Sequence, residues 1–418
     1  MDFPQDIPPL GRDLLRSQDF FLNVPGDFAH HCTLLGVTGS GKTTTATALI
    51  RLALSSAMAV LVVDAKGGSL RRVSRNVAQA FHLSYQEIIP GMPGSPGYNP
   101  CRLGSRSQVA DKIVSSFNHG GASDIYRLIG QEAIALITGC IRACGEEASL
   151  RRIRLELNRY RMPVLAKRVA PVDPVLAEDL LDLSKRGRVA YDALEGMRSR
   201  LGALLHGAYG ELFDTLDDQL DLERSLSVPG VTYISLPALA VSADTALMAR
   251  VLIQDLKQVA YERIRKGECP PALLILDEFA ALDDPEQIND LLRQAREARI
   301  CTVVSSQYLP DASSSYGLRM SLLGAGLLIA HRTVAEDAEV IAKAIGTEKA
   351  NEVTRSLDQG VTTGQGSVKR IDRYVIEPNA IKQLPTGSAV VLCNMGTRRV
   401  RKIVVHQWKE ESHEDRHA

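Results

Sequence analysis

Residues 36–43 read Gly-Val-Thr-Gly-Ser-Gly-Lys-Thr and satisfy the pattern G-x-x-x-x-G-K-[ST] in full. Small residues at Gly36, Gly39 and Gly41 let backbone N–H groups curl around phosphates. A helix starting just behind them adds its positive end. Lys42 is placed to reach β- and γ-phosphates, and the Thr43 hydroxyl to ligate Mg2+. With Thr38, Ser40 and Thr44 these residues form the expected cradle for a nucleotide, and ATP with Mg2+ is the expected cofactor pair.

Residues 273–278, Leu-Leu-Ile-Leu-Asp-Glu, are an apolar run that ends in two carboxylates. A buried strand has little reason to end so unless the acids face a cation or a reacting group. Asp277 is expected beside the Mg2+, through water, and Glu278 as the base that polarises the attacking water. Gln307 ends the next apolar run, where ligands bind in open α/β sheets. It reads as a γ-phosphate sensor, with a loop-capping glutamine as the plainer alternative. Arg293, Arg296 and Arg299 recur on one helical face. Arg296 is expected to act as an arginine finger on a neighbouring subunit, the plainer alternative being a solvated or salt-bridged face.

Strands and helices must alternate to bring such residues together. Strand patterns fall at 31–36, 57–63, 231–236, 272–276, 300–305, 327–331 and 388–393, with an edge-type strand at 401–406. Helical patterns fall at 42–56, 243–266, 285–296 and 336–345. This alternation predicts a parallel sheet covered on both faces. Between them, residues 105–226 carry helical patterns at 108–117, 125–144, 174–183 and 188–205, broken by Pro163, Pro171 and Pro174. The expected organisation is a first part of a nucleotide-binding domain (1–104), an all-α insertion domain (105–228), the second part (229–408), and a charged tail (409–418) that frays. Residues 90–100 read as a loop.

The chain has 418 residues with 49 Lys+Arg and 49 Asp+Glu, so its formal charge is zero. With 45% hydrophobic residues this composition excludes disordered, collagen-like and disulfide-stapled classes. It also argues against a uniformly basic nucleic-acid coat, though not against a local patch. No stretch reaches the ~18 apolar residues of a membrane span, and no signal peptide is evident. The seven cysteines lack metal-like spacing, so Cys140 and Cys144 read as core residues and a reducing, cytoplasmic setting is expected.

Taken together, the glycine loop, Asp64-Ala65-Lys66-Gly67, the run Asp277-Glu278-Phe279-Ala280-Ala281-Leu282, Gln307 and the closing Leu384-Pro385-Thr386-Gly387 resemble the type IV secretion coupling proteins of the TraD/TraG kind. The resemblance spans roughly residues 10–405. It implies a RecA-like P-loop fold of the FtsK–HerA lineage and a homo-hexameric ATPase that pumps DNA in conjugation. The implied partners are DNA, a relaxase and secretion-channel proteins. By the same resemblance Lys42, Thr43, Asp277 and Glu278 carry hydrolysis, Gln307 and Arg296 match sensor and finger, and Asp64 and Lys66 match a motif without a derived role. The family's usual N-terminal transmembrane hairpin has no counterpart, so membrane contact, at the inner face, is expected only through partners. Rival readings are a cytosolic DNA translocase of the FtsK–HerA type and a non-motor cargo receptor switched by ATP.

Residues 151–168 hold Arg151, Arg152, Arg154, Arg159, Arg161, Lys167 and Arg168 against the single acid Glu156. Such a stretch suits phosphate contact driven by counterion release. It equally suits a solvated helix face paired with the acids of residues 173–182. Residues 359–373 read as a mobile loop, either lining a channel or forming plain surface.

Overall fold

The computed structural model describes residues 7–23, 26, 30–66, 68–117, 124–213, 219–237, 242–267, 269–282, 284–310, 312–313, 315–358, 361–395 and 398–408. Two short strands, β1 (Gly11–Asp13) and β2 (Asp19–Phe20), come first. β3 (Cys32–Leu35) runs into the glycine loop and α1 (Lys42–Ser55), followed by β4 (Ala59–Asp64), α2 (Arg71–Ala80) and β5 (Ser84–Ile88). Helices then follow with no further strand of the sheet among the described residues: α3 (Arg106–Ser116), α4 (Asp124–Ala143), α5 (Leu150–Glu156), α6 (Met162–Val169), α7 (Pro174–Lys185), α8 (Arg188–His206) and α9 (Leu222–Ser225). The alternation returns with β6 (Gly230–Ser235), α10 (Ser242–Lys266), β7 (Ala272–Asp277), α11 (Pro285–Ala295), β8 (Ile300–Ser306), α12 (Tyr316–Leu323), β9 (Leu327–Ala330) and α13 (Ala335–Ile345). A long pair, β10 (Thr347–Asp358) and β11 (Val361–Tyr374), precedes α14 (Pro378–Lys382), β12 (Ser388–Cys393) and β13 (Arg399–Val405).

Eleven strands form one sheet in the order β2-β1-β13-β12-β9-β3-β8-β7-β4-β6-β5. From β9 to β5 every pairing is parallel. β12, β13, β1 and β2 extend the sheet antiparallel. The fold is thus α/β, with a mostly parallel sheet flanked by helices. Alternate residues of β4 enter different cores. Val60 and Val62 share one with Leu49 and Leu52 of α1, whereas Leu61 and Val63 share the other with Ile113 of α3 and Leu252 of α10. Burial on both faces is why such strands read as unbroken apolar runs.

The helical region is tied to α10 by a buried polar contact. Lys112 of α3 pairs with Asp255 and donates to the Pro100 carbonyl at 2.7 Å, and Tyr98 donates to Asp255 at 2.9 Å. Such a pair is tolerated inside because its remaining hydrogen-bonding capacity is filled.

Several expectations are corrected. β13 is no edge strand: β12 lies on one side and β1 on the other. The segment expected to be a mobile loop is largely β11, paired with β10 from Thr347↔Tyr374 to Asp358↔Val361; Gln359 and Gly360 lie outside the described residues. Its Gly/Thr/Gln-rich composition hides a strand that pairs along a ladder with β10. Pro163 and Pro174 open α6 and α7, since a proline near a helix start removes an N–H that has no partner there anyway. The expected tail 409–418 lies outside the described residues. Among the described residues no helix is long and apolar enough to cross a membrane.

Candidate active site

The site lies across the carboxyl ends of the neighbouring parallel strands β3, β8, β7 and β4. β3 ends in the glycine loop, and Asp277 ends β7. Register sets Asp277 opposite Asp64 on one side and Ser305 on the other. Glycine is required where the loop runs closest to its surroundings. Gly41 has φ 119°, and a Cβ there would stand 3.0 Å from the Gly387 backbone. Thr386 donates to the Gly39 carbonyl at 3.2 Å and Gly387 N to the Ser40 carbonyl at 2.9 Å. The closing Leu-Pro-Thr-Gly segment therefore braces the loop. Gly36 N is bonded to Ser306 of β8, and Val37 N to the Arg332 carbonyl just past β9.

Lys42, buried at the start of α1, donates to the Gly36 carbonyl. Burial lowers its pKa and the neighbouring Lys66 adds to that, while Glu278 and Asp277 oppose it. Asp277 accepts from Ser305 at 2.7 Å and from Ser69 at 3.3 Å. Burial raises its carboxyl pKa, and the charges of Asp64 and Glu278 push the same way. A cation would relieve that penalty, and a carboxylate lining the same cavity as Thr43 offers, with that hydroxyl, a hard-oxygen donor set suited to Mg2+ completed by phosphates. Glu278 is held at φ 54°, a left-handed conformation uncommon for a residue with a side chain. The Gln307 amide donates to Glu278 and accepts from Thr38. A cavity of about 270 Å3 opens between Thr38, Lys42, Lys66, Ser69, Asp277 and Glu278.

Sequence reasoning did not single out His331, just beyond β9. Its Nδ1 faces the Ser388 carbonyl at 2.8 Å and so carries the hydrogen; its Nε2 accepts from the Thr45 hydroxyl at 2.8 Å. Burial lowers its pKa to about 4. The signal was present, since a polar residue directly follows the apolar strand β9, as Gln307 follows β8. Asp64 shows the same signal at the end of β4.

Gly36, Thr38, Gly39, Ser40, Gly41, Lys42, Thr43 and Thr44 lie together on the loop and the first turn of α1. Asp277, Glu278 and Gln307 face them. Arg296 does not join them in its own chain. It caps α11 near the amino end of β8, where its charge acts on His31, at the opposite end of the strands from the cavity. Arg152 pairs with Glu146 at 3.2 Å and Glu156 at 2.8 Å, and Arg161 with Glu156 at 3.2 Å. Arg168 also pairs with Glu146, Arg154 donates to the Arg198 carbonyl, and Arg159 lies over the rings of Tyr160 and Tyr191. Arg151, at the start of α5, is exposed. Arg152, Arg161 and Arg168 thus pair with Glu146 and Glu156 rather than with the acids of residues 173–182. Among the described residues no His/Cys/Asp/Glu cluster is arranged to hold a metal, and Cys140 is buried in the core.

Residues 10–69 match the family model of the central domain of the helicase HerA, and residues 271–386 match that of the TraM recognition site of TraD and TraG. Both bear out the resemblance read from the motifs. The bacterial conjugative coupling protein TrwBdeltaN70 in an unbound form aligns over 92% of this chain and 86% of its own, with TM-score 0.66 and 16% identity. The plasmid coupling protein TrwB in complex with ADP and Mg2+ aligns over 93% of this chain and 87% of its own, with TM-score 0.63 and 17% identity. VirB4 of Thermoanaerobacter pseudethanolicus aligns over 96% and 97%, with TM-score 0.60 and 13% identity. At these identities the likeness is one of fold. No curated protein matches the sequence.

Proposed function

We propose that the chain hydrolyses ATP with Mg2+ and, assembled as a homo-hexameric ring, moves DNA toward a type IV secretion channel in conjugation. The observation that carries this reading is the convergence of Lys42, Asp277 and Glu278 on one cavity, with Gln307 bonded to Glu278 and Thr38 of its lining. TrwB, similar in fold, is known with ADP and Mg2+. In this reading the loop N–H groups and Lys42 hold the phosphates, and Thr43 and Asp277 hold Mg2+. Bound there, Mg2+ neutralises charge on the phosphates. Glu278 takes the proton from the attacking water, and Gln307 reports whether the terminal phosphate is present. Arg296 is exposed on its own chain and would serve a neighbour's site. The helical region would face DNA or cargo, and membrane contact would come through partners.

The test is ATP turnover with and without DNA. Turnover should rise with DNA, and Lys42→Ala should abolish both rates. Turnover indifferent to DNA would sink the motor and favour an ATP-switched cargo receptor. The HerA match over residues 10–69 favours a second reading, a DNA translocase of that lineage outside conjugation. Co-purification with a relaxase separates the two.

A further inference from the structure

Asp64 ends β4 and is fully buried. A carboxylate in such a place is costly unless its oxygens are satisfied. Here Oδ1 accepts from the backbone N of Lys66 at 2.9 Å. Oδ2 accepts from Gly68 N at 3.1 Å, Leu70 N at 3.2 Å and the Tyr233 hydroxyl at 2.9 Å. The donors come from the turn that joins β4 to α2, with Tyr233 of β6 closing the shell from the side. The turn is thereby folded onto a fixed point of the sheet. It carries Lys66 and Ser69 to the same cavity as Lys42, Thr43, Asp277 and Glu278. Ser69 also donates to Asp277 at 3.3 Å, which ties the turn to the acidic strand end.

The Lys66 ammonium forms no ion pair among the described residues, and it stands close enough to Lys42 for the two charges to oppose each other. The two lysines repel each other across one small cavity; Glu278 and Asp277 offset this at Lys42, and a phosphate between the lysines would relieve it further. A nucleoside triphosphate brings more negative charge than one lysine offsets, and Asp277 and Glu278 add to it. We infer that Lys66 is a second phosphate-contacting cation of this site and that Asp64, through the turn and with Tyr233, is its positioning residue. This deepens the nucleotide reading above and rests on it.

The experiment uses the full chain and two probes, inorganic tripolyphosphate and a non-hydrolysable ATP analogue, each titrated calorimetrically with Mg2+ present. Lys66→Ala should weaken both by about tenfold, while Lys66→Arg, which keeps the charge, should stay within about threefold. Asp64→Asn and Tyr233→Phe should weaken both probes in the same direction. The double variant Asp64→Asn/Lys66→Ala should bind no worse than Lys66→Ala alone, because Asp64 acts through Lys66. Affinities within about twofold of the parent for Lys66→Ala would overturn the cation assignment. Additive losses in the double variant would overturn the positioning role, and Tyr233→Phe tests that role if Asp64→Asn does not fold. Lys42→Ala serves as the control: if it too leaves both probes bound, the nucleotide reading itself fails. If it abolishes binding while Lys66→Ala does not weaken it, only the present inference fails.

Discussion

Gln307 donates from Nε2 to Glu278 Oε2 at 3.1 Å while its Oε1 accepts from Thr38 Oγ1 at 3.0 Å. One amide thus joins the phosphate loop to the acid that faces it. Only a side chain that donates and accepts at once can do so. A phosphate arriving at the loop would compete for Thr38 and so reach Glu278 through a single intermediary.

Gln307→Glu keeps the shape and removes the donor, and it sets a second carboxylate against Glu278. Turnover should fall by about a hundredfold with nucleotide affinity changed less than about threefold. Steady-state hydrolysis beside equilibrium binding checks this. An equal loss in both would make Gln307 a binding residue instead.

Glu278 carries a second expectation, because its φ of 54° is strained for any side chain. Glu278→Gln should bind nucleotide normally and lose turnover. Glu278→Ala and Glu278→Gly should be equally inactive, yet the glycine variant should be the more stable by about 1 kcal/mol, since glycine adopts this conformation without steric cost. Urea unfolding of the two measures the difference. Near-normal hydrolysis by Glu278→Gln would move the base elsewhere.

Stability should respond to pH through the buried His331 and the half-buried His31. Burial lowers both His331 and His31 to about 4. In the unfolded chain a histidine titrates near ~6.5. A group depressed in the fold contributes stability fully above its unfolded value and loses it as pH falls. The loss should therefore run from about 6.5 down to about 4, at no more than about 1.4 kcal/mol per pH unit for each histidine. Lys42 adds to the depression at His331. His331→Gln can keep both hydrogen bonds and cannot titrate, so its denaturation midpoint should fall less between pH 7 and pH 5 than the parent's. Parallel losses would show that His331 titrates alike in the folded and unfolded chains and is not depressed by the fold.

What the sequence disclosed follows from where each residue's partners lie. β4 and β7 are buried on both faces, so their apolar runs and terminal acids stand out in a one-dimensional reading. β5, with the sequence Ser-Tyr-Gln-Glu-Ile, is the outermost strand and is only partly covered, so no apolar period marks it. The same holds for the site. Lys42, Thr43, Asp277 and Glu278 sit in contiguous motifs. The service of Asp64 depends on Tyr233, and that of His331 on Thr45 and Ser388, partners brought close only by the strand order. The roles of Arg296 and the basic stretch depend on neighbours that no spacing encodes.

That stretch yields the last expectation. Arg152 is largely covered and sits between Glu146 and the buried Glu156, so its charge is engaged within the chain. Arg152→Ala leaves the Glu156 carboxylate with Arg161 at 3.2 Å. Losing one partner of a buried acid costs about 1–3 kcal/mol, so the variant should unfold at lower urea. Its DNA affinity should keep the parent's dependence on salt, because a residue that contacts no phosphate releases no counterion. A salt slope shallower by about 1 with unchanged stability would reverse the assignment and place Arg152 on the DNA. Arg151, exposed at the start of α5, is the internal comparison. If any part of this stretch touches DNA, Arg151→Ala should lower the slope while Arg152→Ala does not.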